Sequence, residues 1–211
     1  MTDSRSITFD GGRLAIEDVC AIAARGARTA LSADPAFRAR IRRGSDFLER
    51  LLREDGVVYG VTTGYGDSCT VVIPPELVPE LPHHLFAYHG VGLGRMLDPA
   101  ETRAVLAARL QSLAQGVSGV SVELLEQLAA FIEHDVLPQI PAEGSVGASG
   151  DLTPLSYVAA ALCGERNVLF QGRIQPAAQA LQALGRRPLR LRPKEGLAIM
   201  NGTAVMTALA C

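Results

Sequence analysis

The sequence has no tryptophan, and aromatic residues fill only 5% of its 211 positions. It has no charge excess of either sign: 20 Lys and Arg stand against 22 Asp and Glu, a net of −2 with histidine neutral. Without a basic field there is no general attraction to nucleic acid. Cysteine is scarce and scattered; Cys20, Cys69, Cys163 and Cys211 form no CxxC pair. That pattern argues for neither a disulfide framework nor a zinc site, and it fits a reducing cytoplasm. No apolar run approaches the roughly 20 residues that span a bilayer, so no membrane partner is expected. Residues 1–10 are polar and lack the apolar centre of a secretory leader. What remains is 48% hydrophobic and 20% charged, the balance of a globular chain, and long enough for one domain over 1–211.

Helical periodicity dominates what is present. A short strand at Ile7-Thr8-Phe9 and a turn at Gly11-Gly12 precede a helix through Val19, Ile22 and Ala23. Asp34-Pro35 reads as N-cap and first helical residue, followed by a stripe of Phe37, Ile41, Leu48, Leu51 and Leu52. The arginines around that stripe are diluted by Asp46, Glu49, Glu54 and Asp55, which reads as a solvated helix face. Beyond Pro74, Pro75 and Pro79, a helix carries Leu81, Leu85, Tyr88 and His89. His83 and His84 are adjacent and point to different sides of it. With no acidic or cysteine partner nearby, no metal is expected there.

Asp98-Pro99-Ala100-Glu101 combines N-cap, proline and capping-box glutamate, and its helix stops near Gly116. Ser121 opens the next, which ends before Pro138; the two read as an antiparallel, structural hairpin. A β-hairpin is expected around Asn167 to Ile174 and a helix over 177–184. The basic stretch of Arg186, Arg187, Arg190, Arg192 and Lys194 reads as a solvated loop, with an anion or subunit contact the lesser reading.

Between these helices lies Gly144-Ser145-Val146-Gly147-Ala148-Ser149-Gly150-Asp151-Leu152-Thr153-Pro154-Leu155-Ser156. The glycines permit positive φ and close backbone approach. Asp151 is placed to cap the helix that Leu152, Leu155, Ala159 and Leu162 define, so the turn sits at a helix's positive end. It lacks the Gly-Lys-Ser/Thr ending of a phosphate loop, the second glycine of a nucleophile elbow, and the strand and spacing of a dinucleotide fingerprint. The residues themselves leave a structural loop and a functional turn both open.

Two further stretches are ambiguous in the same way. Val57-Val58-Tyr59-Gly60-Val61-Thr62-Thr63-Gly64-Tyr65-Gly66 reads as a strand end and turn with Tyr59 packed in the core. Asn201-Gly202 reads as a turn.

Taken together and in this order, these stretches resemble the aromatic amino acid ammonia-lyase and aminomutase family. The resemblance implies a mainly α, ammonia-lyase-like helical fold with short strands and a Gly-rich turn at 144–151. It implies that Ala148-Ser149-Gly150 cyclises on its own backbone, with loss of two waters, to 4-methylideneimidazol-5-one (MIO), so no external cofactor is needed. The Gly150 amide nitrogen would attack the Ala148 carbonyl carbon, and Ser149 would supply the hydroxyl that is eliminated. Tyr59 maps onto the family's base for the substrate's β-proton, a role in which a phenol needs a positive local field. Gly60, Tyr88, His89 and Asn201 map onto its substrate-binding positions. Thr62 stands where histidine lyases carry Asn, and Ala204 where they carry Gln. The Tyr88-His89 pair points instead to a polar aromatic substrate.

The implied activity is elimination of ammonia from L-histidine or L-tyrosine, histidine favoured, to an α,β-unsaturated acid. The alternatives are a tyrosine or phenylalanine 2,3-aminomutase using the same MIO, and an inactive fragment. The chain stops in an apolar stretch, Thr207-Ala208-Leu209-Ala210-Cys211, and the family runs on for several hundred residues. We therefore expect an N-terminal part that stops before the family's long central helix bundle. The family also implies a homotetramer acting on a small aromatic amino acid in the cytoplasm.

Overall fold

The structure is a computed structural model that describes residues 5–54, 56–146 and 150–211. Ala148 and Ser149, two of the three residues expected to cyclise, lie outside the described residues.

Helices carry the fold, as the periodicity predicts. The chain runs β1 (Arg5–Phe9), α1 (Ile16–Ala23), β2 (Ala27–Leu31) and α2 (Pro35–Arg53). β1 and β2 pair in parallel from Arg5–Ala27 to Phe9–Leu31, with α1 as the crossover. Only the first strand was expected. The second, Ala-Arg-Thr-Ala-Leu, has too short an alternation to stand out. α2 starts where Asp34 accepts hydrogen bonds from the amides of Ala36 and Phe37, and its stripe buries Phe37, Ile41 and Leu48.

A loop and a short 3₁₀ turn (Gly66–Thr70) lead to α3 (Leu81–His89), β3 (Leu93–Met96) and α4 (Pro99–Leu113). The α4 capping box forms: Asp98 accepts from the Glu101 amide at 2.8 Å and Glu101 from the Asp98 amide at 2.7 Å. Apolar faces of α4 pack against α1, α5 (Val122–Glu133) and the last helix, residues 204–210, and its buried residues include Val105, Leu106, Leu110 and Leu113. β4 (Leu137–Pro138), β5 (Pro141–Glu143), α6 (Leu152–Leu162), β6 (Asn167–Phe170) and β7 (Arg173–Pro176) follow. β6 and β7 form the expected hairpin, turning at Gln171 and Gly172, both with positive φ. α7 (Ala177–Ala183), α8 (Glu195–Met200) and α9 (Ala204–Ala210) complete the chain.

Three expectations need correction. Residues 57–59 form no strand, and Tyr59 is half exposed rather than a core aromatic. The histidines of α3 do have acidic neighbours in space: His83 Nε2 is 3.0 Å from Glu165 and His84 Nε2 is 3.6 Å from Glu80. The basic stretch is only partly solvated, because Leu191 is buried and Lys194 donates to the Ser118 carbonyl. Among the described residues no helix is long and apolar enough to cross a membrane, and no cluster of three or more His, Cys, Asp or Glu could hold a metal.

Candidate active site

The site is built from the flanks of the glycine-rich turn. On its N-terminal side, β5 pairs antiparallel with β3, Leu93 opposite Glu143 and Met96 opposite Pro141. This ladder lays the segment that follows Tyr88 and His89 along the approach to the turn. A Cβ on Gly144 would lie 3.5 Å from Gly92 Cα, so the two backbones nearly touch. The loop at 90–92 is tied down by α6 and the residues after it. Gly92 N donates to the Tyr157 hydroxyl at 3.2 Å, and Arg166 donates to the Gly90 carbonyl while its guanidinium lies 4.2 Å from the Tyr157 ring centroid.

On the C-terminal side, Gly150 forms a parallel bridge with Gly202, and Asp151 N donates to Gly202 O at 2.7 Å. The crossing demands glycine on both sides. Gly150 has φ +117° and Gly202 φ +128°, and a Cβ on Gly150 would overlap the Gly202 carbonyl and lie 2.7 Å from its nitrogen. Asn201, the residue before this crossing, is exposed at the end of α8.

Asp151 does not cap α6 as the sequence predicts. Its carboxylate is fully buried and turned toward α9, accepting from Val205 N at 2.7 Å and Met206 N at 3.1 Å. Ser145 donates its hydroxyl to the other oxygen at 2.6 Å. The free amides of α9's first turn, inside the core, need an acceptor more than the start of α6 does. One carboxylate therefore joins the beginning of the turn, its end and the α9 terminus.

The Tyr59 loop packs against α8, the helix that leads to Asn201. Gly60 is buried, and a Cβ there would lie 2.7 Å from both Leu197 of α8 and the Tyr65 ring. The Tyr59 hydroxyl accepts from Gly66 N at 2.9 Å, which fixes the direction of the phenol. Tyr65 meets Tyr59 edge to face at 6.5 Å, and burial, with the neighbouring Tyr59 second, pushes its phenol up to about 12. Thr62 spends its oxygen within the loop, accepting from Val58 N at 2.8 Å.

His89 is half buried, with Nδ1 2.9 Å from the Leu85 carbonyl. A carbonyl only accepts, so Nδ1 carries a proton in this bond; the tautomer with that single proton presents Nε2 as an acceptor. Tyr88 is 79% exposed beside it, the two rings 5.1 Å apart. The segment after His89 and the Asn201-Gly202 pair thus reach the described ends of the turn, while the Tyr59 loop packs against α8; no hydrogen bond joins Tyr59, His89 and Asn201 to one another among the described residues.

Arg109 belongs to none of the sequence motifs. It lies in the middle of α4, only 4% exposed, and donates from Nη1 to Ala198 O at 3.1 Å and Asn201 O at 3.0 Å. Burial pulls its guanidinium down to about 10, and the nearby charge of Asp151 opposes that shift. The signal was a single arginine on the apolar stripe of Thr102, Val105, Leu106 and Leu113.

A family model described as "Aromatic amino acid lyase" matches residues 14–211. The chain belongs to that family. A histidine ammonia-lyase from Chloroflexus aurantiacus is 42% identical over 206 residues, 97% of this chain and 39% of its own length. The chain therefore spans about two fifths of the length of such curated relatives. Among solved lyase-family structures, tyrosine aminomutase from Streptomyces globisporus superposes with a TM-score of 0.88 at 38% identity, covering 97% of this chain and 38% of that one. The ergothioneine-degrading ergothionase from Treponema denticola superposes with 0.90 at 29% identity, covering 97% and 41%. The ammonia-lyase-like, mainly helical architecture expected from the motifs is the one observed.

Proposed function

We propose that this chain supplies the electrophile-forming part of an MIO-dependent aromatic amino acid ammonia-lyase. Its substrate is L-histidine or L-tyrosine, with histidine favoured by the relatives' activity. The observation that carries the reading is the crossing of Gly150 with Gly202, which brings the Asn201-Gly202-Thr203 segment onto Gly150, the one described residue of the expected cyclising tripeptide. The described end of that turn suits an MIO ring: Gly150 has no room for a side chain, and its backbone is held against that of Gly202.

MIO would supply an electrophilic carbon that takes the substrate's amino group and makes it a better leaving group. The surrounding residues do the rest. Tyr59, its hydroxyl oriented by Gly66 N, removes the β-proton. Asn201, exposed at the end of α8, binds the amino group. His89 Nε2 accepts a hydrogen bond from the substrate's side chain, an imidazole N–H or a phenol O–H, with Tyr88 beside it, and Gly60 contributes to the substrate site from the Tyr59 loop. In this reading residues 1–211 act as one unit, and the whole protein is a cytoplasmic homotetramer with no external cofactor and no metal.

Replacing Ser149 with Ala tests the reading, because it removes the hydroxyl that must be eliminated. Elimination of ammonia should vanish, and unchanged turnover would refute the role of the turn. The 38% identity to a tyrosine aminomutase supports a second reading, return of ammonia to the β-carbon. Chromatography of the products for a β-amino acid separates the two.

A further inference from the structure

We infer that Arg109 is a positioning residue for this reaction: its guanidinium sets the end of α8, and through it holds Asn201 and Gly202 against Gly150. The inference rests on the reading of Asn201 and the turn proposed above.

The last carbonyls of a helix lack partners within it. In α8 two of them, Ala198 O and Asn201 O, converge on a single nitrogen of Arg109. Asn201 has already left the helix, with φ −84° and ψ 129°, so the direction of its peptide is set by that bond rather than by the helix. The next residue presses on the same guanidinium: a Cβ on Gly202 would lie 3.2 Å from both Nη1 and the central carbon. Gly202 O then receives Asp151 N. A continuous path thus runs from Arg109 through Asn201 and Gly202 to the turn.

A purely structural cap would not need this residue. Burying a cation is a costly way to satisfy two carbonyls, and a neutral amide could do so at less expense. The fork is also not placed for its own satisfaction, since Nε has no hydrogen-bond partner among the described residues. Its orientation serves the two carbonyls and Gly202. A lysine would bring the charge as a point donor without the planar fork.

The test compares Arg109→Lys and Arg109→Met with the parent in the full chain, reading amide hydrogen exchange together with kcat and KM for L-histidine and L-tyrosine. In both variants the amides of Asp151, Val205 and Met206 should exchange at least about tenfold faster while those of α5 keep their protection. With Asn201 displaced, kcat should fall about 10²-fold, the cost of a misplacement of about 1 Å. KM should change by less than about threefold. Exchange that rises equally in α5, or parental kcat and parental local exchange in Arg109→Lys, would overturn the inference. Ser149→Ala is run beside them. Turnover in that variant would count against the MIO reading, whereas its loss combined with parental behaviour of the Arg109 variants would count against Arg109 alone.

Discussion

Gly150 shows how narrow the chemistry of a single position can be. Its φ of +117° is closed to ordinary side chains, and a methyl group would overlap the Gly202 carbonyl. Gly150→Ala should therefore destabilise the chain by at least the 1–3 kcal/mol typical of such backbone strain, read as a lowered denaturant midpoint. Cys163 offers a test of a different kind. Burial, with Glu165 second, pushes its thiol from 9.0 up to about 12. The folded chain then keeps a proton that the unfolded chain releases, so this group's contribution to stability is intact below pH 9 and is lost as pH rises toward 12. Cys163→Ala should flatten that part of the alkaline stability profile. At pH 8 an alkylating reagent should modify exposed Cys20 and Cys69 and spare Cys163, as peptide mapping would report. At this scale the sequence was legible where residue type restricts geometry, as at Gly150. It was not legible for Tyr59, whose half-exposed setting depends on a loop packed against a helix some 140 positions later.

Among the elements, helices were readable because their start signals are local. Asp98 and Glu101 need only each other and the intervening turn, and the capping box formed as written. Asp98→Ala should cost about 1 kcal/mol, measured by chemical denaturation. Asp151 obeyed the same local rule on paper and broke it in three dimensions, because the amides of Val205 and Met206 compete for its carboxylate from inside the core. Asp151→Asn keeps the shape and removes the charge. It should speed exchange of those two amides while leaving α6, which does not use the side chain as a cap, protected. The short strands β2 to β5 were missed for a related reason. Each is two to five residues long and is defined by a distant partner, as β5 is by β3. β6 and β7, no longer than β2, were legible because the turn at Gln171-Gly172 joins them directly, whereas β2 to β5 have no such local partner.

At the scale of the molecule, two separated motifs reach the ends of one turn, the segment after His89 through the β3–β5 ladder and Asn201 through the crossing at Gly202, while a third, the Tyr59 loop, packs against Leu197 of α8. Their order along the chain was visible from the start. Their meeting was not, because it depends on α3, α6 and α8 packing together and on a buried arginine in α4. If the assembled turn cyclises, the intact mass of the purified chain should fall short of its sequence mass by two waters, and the deficit should map to the peptide holding Ala148, Ser149 and Gly150. A full sequence mass would show that this chain carries no such ring.

The same crossing imposes an order in time. Val205 follows Asp151 by 54 positions. At about 5–20 residues per second, the ribosome needs roughly 3–10 s after making the carboxylate to make the amide it will hold. The glycine turn therefore emerges without its far wall and is completed by a segment synthesised later. Any chemistry that requires the finished turn begins only when that later segment arrives.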